Sequence, residues 1–311
     1  MPRIIFMGTP EFAVPVLDTL THSMHTIVGV YTRPDQPAGR GKAVRASPVK
    51  RLAESRGLPV FQPLSLRQPE FIAPLRDLAP DVIIVAAYGL ILPRAVLSIP
   101  PRGCVNTHAS LLPRHRGAAP IPAAILAGDS ETGVTLMQMD AGLDTGPILA
   151  QRAIPIAGDD TTATLTPKLA ALAATLLIET LPRILAGEVA PQPQDDARAT
   201  LCKTIRKEEG LIDWKLPAVE IARRVRAFNP WPSAYTFWNG VPLKILLATA
   251  AETTADANPG RVTQSAEKIA VACGDGALIL REVQLASKRA MKVEEFVRGQ
   301  RGFVDAVLRG A

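Results

Sequence analysis

Cysteine is scarce in this chain of 311 residues: Cys104, Cys202 and Cys273 stand far apart and form no C-x-x-C pair. So odd and scattered a set excludes a disulfide framework and offers no zinc-ligand spacing, so a reducing cytoplasm is the expected compartment and no metal is predicted. No secretory leader is expected either. Met1-Pro2-Arg3-Ile4-Ile5-Phe6 leads into a short apolar run closed by Gly8-Thr9-Pro10, without the roughly 7–15-residue apolar stretch and small-residue cleavage site of a signal peptide. The most apolar segments, such as residues 81–92, fall short of the ~20 residues that cross a bilayer, so no membrane partner is expected. The turn after the first run, Gly8-Thr9-Pro10-Glu11, carries a single glycine and an acid where a dinucleotide site would set G-x-G-x-x-G against a pyrophosphate. With no P-loop elsewhere, neither NAD nor ATP is expected.

What is present predicts two domains, since the length exceeds one ordinary core of about 100–200 residues. Residues 3–8, 26–31 and 81–87 are short β-branched apolar runs, with helix-length patterns between them at 10–20 and 47–56. Continuous apolarity means strands buried on both faces, so the expected fold is α/β, a Rossmann-like, doubly wound, mostly parallel sheet. Further strands are expected at 103–107, 133–139 and 148–154, then an Ala/Leu-rich helical stretch over 161–185 interrupted at Pro167 and Pro182. The polar, Pro-containing segment 187–198 reads as a linker. Beyond it, Asn239-Gly240 and Asp275-Gly276 separate strand-like runs, the hairpin signals of a small OB-like β-barrel preceded by one helix at 216–227. The expected boundaries are 1–189 for the first domain, 190–206 for the linker and 207–311 for the barrel.

The net charge of +6 is unevenly placed: residues 201–311 hold 17 Lys/Arg against 12 Asp/Glu, and residues 33–56 hold seven basic residues against Asp35 and Glu54. Two separated basic patches suit a polyanionic partner.

Chemistry concentrates around Asn106 and His108, two residues apart at the end of a strand, so that both side chains project the same way. The loop Met139-Asp140-Ala141-Gly142-Leu143-Asp144-Thr145-Gly146 follows the strand at 133–139. Asp144 there suits either of two roles, orienting the imidazole of His108 or capping its own turn. No serine sits in a G-x-S-x-G elbow, and Ser110 is followed by Leu-Leu-Pro, which disfavours a covalent nucleophile. A neutral amide, an imidazole and a carboxylate suit direct acyl transfer: the amide donates to a developing oxyanion and the imidazole moves protons.

With N-T-H-A-S-L-L-P-R-H-R-G-A-A-P-I at 106–121 and M-D-A-G-L-D-T-G at 139–146, the chain resembles the folate-dependent formyltransferases. V-A-A-Y-G-L-I-L-P at 85–93, P-D-Q-P-A-G-R-G-K at 34–42 and R-A-F-N-P-W-P at 226–232 resemble the branch of that family acting on charged initiator tRNA. The resemblance covers essentially the whole chain. It implies that 10-formyltetrahydrofolate is the formyl donor, as co-substrate, and that the amino group of initiator methionyl-tRNA is the acceptor, in translation initiation. It implies Asn106 as oxyanion donor, His108 as proton carrier and Asp144 as orienting carboxylate. It places the folate against Tyr88, Gly89, Leu90, Ile91 and the Asp140–Asp144 loop, with Ser110, Leu111, Leu112 and Pro113 lining the same pocket.

On the tRNA side, the family's insertion after the second strand corresponds to Arg33–Arg45, with Arg40 and Lys42 as the expected contacts. Lys203, Arg206 and Lys207 are expected to add phosphate attraction from the linker and barrel. Phe228, Trp231, Tyr235 and Trp238 lie near a helix-to-strand junction, which suits packing better than base stacking. A monomer is expected. Two competing functions are a sister formyltransferase acting on a small amine, which would not need the basic insertion, and a non-enzymatic RNA-binding protein, which would not need Asn106, His108 and Asp144 together.

Overall fold

The computed structural model describes residues 1–38, 43–252, 258–265 and 268–310, so Arg40 and Lys42 lie outside the described residues. The chain forms two compact units. One comprises Met1–Pro120, Glu131–Pro155 and Thr166–Cys202, and the other Ile121–Ser130, Ile156–Leu165 and Lys203–Ala311. The second unit thus takes in residues 121–130 and 156–165 beside the part of the chain that follows the expected 190–206 linker. Within the second unit the reason is visible: Thr162 Oγ1 donates to the Ala227 carbonyl, Ala163 N to the Asn229 carbonyl, and Arg226 Nη1 to the Asp160 carbonyl.

The first unit is built on β1 (Arg3–Gly8), β2 (Thr26–Tyr31), β3 (Val60–Phe61), β4 (Val82–Ala86), β5 (Cys104–His108), β6 (Glu131–Gln138) and β7 (Ile148–Pro155). Their spatial order is β7-β6-β5-β4-β1-β2-β3. β1 to β5 are parallel, while β6 runs antiparallel to β5 and β7 antiparallel to β6. Every residue of β4 and β5 is buried, so both faces of the sheet centre are covered, as the unbroken apolar runs predicted. The strand order turns back between β1 and β4, where such sheets leave a crevice outside their carboxyl ends. There Thr9 Oγ1 donates to the Tyr88 carbonyl and Arg33 N donates to Thr9 Oγ1, tying together the loops after β1, β2 and β4. Gly8 serves this packing: a Cβ on it would come within 2.7 Å of the Phe6 ring and 2.8 Å of the Ala13 side chain.

Thr162–Ala186 is one helix that runs through both Pro167 and Pro182 instead of breaking at them. Each proline removes a helical hydrogen bond. The buried row Leu165, Leu169, Ala173, Leu176, Leu177, Leu181 and Ile184 offsets that loss. Among the described residues this is the one helix long and apolar enough to cross a membrane, and half of its most apolar stretch is buried inside the protein.

The second unit carries the helix Ala218–Ala227 and a six-stranded antiparallel sheet. Its main strands are β8 (Ala234–Trp238), β9 (Val241–Ala251), β10 (Val262–Ser265), β11 (Lys268–Ala272) and β12 (Ala277–Leu285), in the order β8-β9-β12-β11-β10. Asn239 and Gly240, with φ of 50° and 75°, make the turn joining β8 to β9, as their sequence predicted. Phe237 bridges Arg309 and Arg261 bridges Val307, so one segment joins the two outer strands and the sheet closes on itself. Inside lie Trp238, Phe296 and Phe303, packed edge to face with centroids 4.9 to 5.7 Å apart.

Candidate active site

Strand alternation puts Asn106 and His108 on one face at the carboxyl end of β5, opposite Met137 and Thr135 of β6. Both are buried, at 8% and 6% exposure. Asp144 meets them from the loop after β6, with its backbone in the left-handed region at φ 52°. Its Oδ2 accepts from the Gly117 amide at 2.8 Å and lies 3.7 Å from His108 Nδ1; Oδ1 accepts from Asn106 Nδ2 at 3.5 Å. The self-capping role belongs instead to the other acid of the loop, Asp140, which accepts from Gly142 N at 2.9 Å and from Thr145 Oγ1 at 2.8 and 2.9 Å. Two acids four residues apart therefore divide the work, one folding the loop and one facing the amide and imidazole.

The ring of His108 is fixed from its far side. Nε2 lies 2.9 Å from the His115 carbonyl, and since a carbonyl only accepts, Nε2 carries a proton. In the neutral ring this leaves the Nδ1 lone pair on the side of Asp144. The His115 carbonyl also accepts from Cys202 Sγ, and the His115 amide donates to Thr200 Oγ1 at 2.8 Å. Burial, and the Asp144 charge after it, push the Cys202 thiol up, which keeps it a protonated donor.

The turn from Ala109 to Gly117 backs this corner. Ser110 is fully buried, its hydroxyl donating to the Arg114 carbonyl at 2.7 Å, and Leu112 is buried with its amide on Thr135 Oγ1. The hydroxyl of Ser110 is thus engaged within its own turn. Leu111 and Pro113 are half-buried. Arg116–Gly117 pairs in parallel with Leu201–Cys202, and a Cβ on Gly117 would stand 2.2 Å from the Cys202 carbonyl oxygen.

Other residues singled out from sequence sit as follows. Tyr88 is buried and its hydroxyl has no partner among the described residues; Gly89 has φ 83°, Leu90 is half-buried, and Ile91 is 76% exposed. Lys203, Arg206 and Lys207 are all exposed, with Arg206 3.6 Å from Glu209. Phe228 and Trp238 are buried, Tyr235 packs edge to face on Phe237, and Trp231 is 56% exposed. Among the described residues no group of three or more His, Cys, Asp or Glu side chains is placed to hold a metal.

Sequence reasoning missed Gln194 and Arg116. Gln194 Nε2 donates to the carbonyls of Asp144 and Gly146 at 2.8 and 2.7 Å, and its Oε1 accepts from Arg116 Nε at 3.0 Å. Gln194 falls in the segment read as a linker, whose Pro and Asp content masks long-range hydrogen bonding. Arg116 stands inside the 106–121 motif, and its charge gave no local sign of burial.

The formyl transferase family model matches residues 2–181, and the model of the formyl transferase C-terminal domain matches residues 204–301. The chain belongs to the formyl transferase family. It is 51% identical to a methionyl-tRNA formyltransferase of Roseiflexus castenholzii over 96% of both chains. To one of Methylococcus capsulatus it is 52% identical, over 95% of this chain and 96% of the relative. HypX from Aquifex aeolicus, solved in complex with tetrahydrofolic acid, shares the fold with a TM-score of 0.62 at 18% identity, matching 98% of this chain and 48% of its own. The chain thus spans about half the length of HypX.

Proposed function

We propose that this chain transfers the formyl group of 10-formyltetrahydrofolate to the free amino group of methionine esterified to initiator tRNA. The observation that carries the reading is the convergence of Asn106, His108 and Asp144 at the end of β5. Support for the acceptor comes from relatives at 51% and 52% identity that are methionyl-tRNA formyltransferases. Support for the donor comes from the tetrahydrofolate held by HypX. The residues present suit a flat aromatic donor: the loops after β4 and β6 leave Ile91 and Leu143 uncovered, at 76% and 60% exposure, beside backbone groups of 88–91 and 140–144.

The donor supplies an activated formyl carbon. As the methionine nitrogen bonds to that carbon, charge develops on the formyl oxygen, and Asn106 Nδ2 donates to it. His108 Nδ1 takes the proton released by the attacking amine, becoming an imidazolium 3.7 Å from the Asp144 carboxylate. The same proton returns to the departing folate nitrogen as the old carbon–nitrogen bond breaks, which leaves the site in its starting protonation state. Arg40 and Lys42 contact the acceptor end of the tRNA, with Lys203, Arg206 and Lys207 drawing phosphates. All three catalytic groups come from one chain, so a monomer suffices, working in the cytoplasm where charged initiator tRNA is found.

The test uses the purified protein with 10-formyltetrahydrofolate and three acceptors: charged initiator tRNA, free methionine, and a small amine such as glycinamide ribonucleotide. Formyl groups should accumulate on the tRNA; formylation confined to a small amine overturns the reading.

A further inference from the structure

We propose that Gln194 is a positioning residue that holds Asp144 in register with Asn106 and His108. The proposal rests on the reading of Asp144 given above. It starts from a segment, residues 192–202, that lies between the two stretches matched by the family models, 2–181 and 204–301. This segment is not a free tether. Gln192 exchanges two backbone hydrogen bonds with Ile148 at the start of β7, at 2.7 and 2.8 Å, and Thr200 accepts from the amides of His115 and Arg116. It therefore grips both the loop that carries Asp144 and the turn whose carbonyl fixes His108.

Gln194 is the contact nearest the chemistry. Its amide group has two hydrogens and both are spent, on the carbonyls of Asp144 and Gly146. Its orientation is not arbitrary, because Oε1 faces the guanidinium of buried Arg116, which only donates, so the amide nitrogen must face the loop. Arg116 is in turn held by Asp196 at 2.7 Å. Asp144 needs such a hold. It is not glycine, yet it occupies the left-handed region, a conformation that persists only where surroundings enforce it. Gly146 beside it is pressed against β6, where a Cβ would stand 1.8 Å from the Gln138 carbonyl oxygen. The carboxylate lies 3.5 and 3.7 Å from Asn106 and His108, at the outer limit of useful contact, so a small shift of the loop removes both.

The test is single-turnover formyl transfer with Gln194→Met, which keeps length and removes both donors, and Gln194→Glu, which keeps an acceptor for Arg116 and loses the donors. Each should slow transfer about 10–100-fold, the scale for a catalytic group misplaced by up to 1 Å, with KM for tRNA unchanged. Adding Gln194→Met to Asp144→Ala should cost nothing further, because Gln194 acts through Asp144. Wild-type rates in Gln194→Met and Gln194→Glu beside a slow Asp144→Ala overturn the proposal alone, as do additive losses in the double variant. A wild-type rate in Asp144→Ala overturns the underlying reading instead.

Discussion

Buried polar side chains crowd one corner of the first unit and are thinly spread through the second. Around the end of β5 lie Asn106, Thr107, His108, Ser110, His115, Arg116 and Thr135, all buried. The closed sheet of the second unit encloses an apolar core in which Thr236 is the notable exception, satisfied by Trp214 Nε1 at 3.1 Å and by the Arg309 carbonyl at 2.9 Å. Burying polar groups costs free energy unless every one is hydrogen-bonded. The first unit accepts that cost where an amide, an imidazole and a carboxylate must be held in fixed geometry away from bulk water, and the second has no such demand. On the proposed function, the difference separates a unit that would hold the reacting groups from one whose polar side chains lie mostly on its surface.

Four experiments break or sharpen this contrast. The largest effect is expected from Phe303→Ala, which empties the centre of the aromatic cluster. A loss of about 3–5 kcal/mol in denaturant unfolding is expected, with folate affinity retained below the transition. A loss under about 1 kcal/mol would break the picture of a tightly packed apolar core. Next, Asn106→Ala and His108→Ala should each slow single-turnover transfer by at least ~100-fold, on the scale of oxyanion and proton-transfer groups, without lowering the melting temperature. A variant that melts early but transfers normally would reassign the buried polar corner to folding. Smaller again, Lys203→Ala with Lys207→Ala should raise KM for tRNA and reduce the salt slope of binding by about 2, leaving folate KM alone. An unchanged salt slope would remove this surface from the tRNA interface.

The smallest response is expected from the thiols. Burial pushes Cys104 up to about 12 and Cys273 up to about 11, so the native protein presents little thiolate at pH 8. Alkylation should be negligible until the chain unfolds, and mass spectrometry of native protein reads this directly. The same shifts set a sign for stability: the unfolded thiols lose protons first, so stability falls as pH rises from about 9 towards 12.

Much of this was legible in the sequence. Unbroken apolar runs marked β1, β2 and β4 because both of their faces are covered, and Asn-Gly marked the β8–β9 turn because both residues need positive φ. The spacing of Asn106 and His108 told only that their side chains share one face of a strand, as the register of β5 against β6 has it. Asp144 was ambiguous because a D-x-x-x-D loop does not say which acid caps it; only the fold brings Asp144 opposite Gly117. Gln194 was illegible for a physical reason. Its partners, Asp144, Gly146 and Arg116, are 48 to 78 residues away, and a polar segment rich in Pro and Asp has the composition of a tether whatever it binds. Pro167 and Pro182 misled in the opposite direction, since local rules break a helix there and burial of its leucine row keeps it whole.

The segment that closes the second unit comes after every strand it joins. Phe237 and Arg261 wait for Arg309 and Val307, so a chain emerging from the ribosome presents a sheet with two open edges until these residues are out. An open edge is a template for pairing with another nascent chain. The order of synthesis therefore leaves this unit exposed to misassembly up to its final hydrogen bonds, and a pause during translation of the last strands would lengthen that exposure.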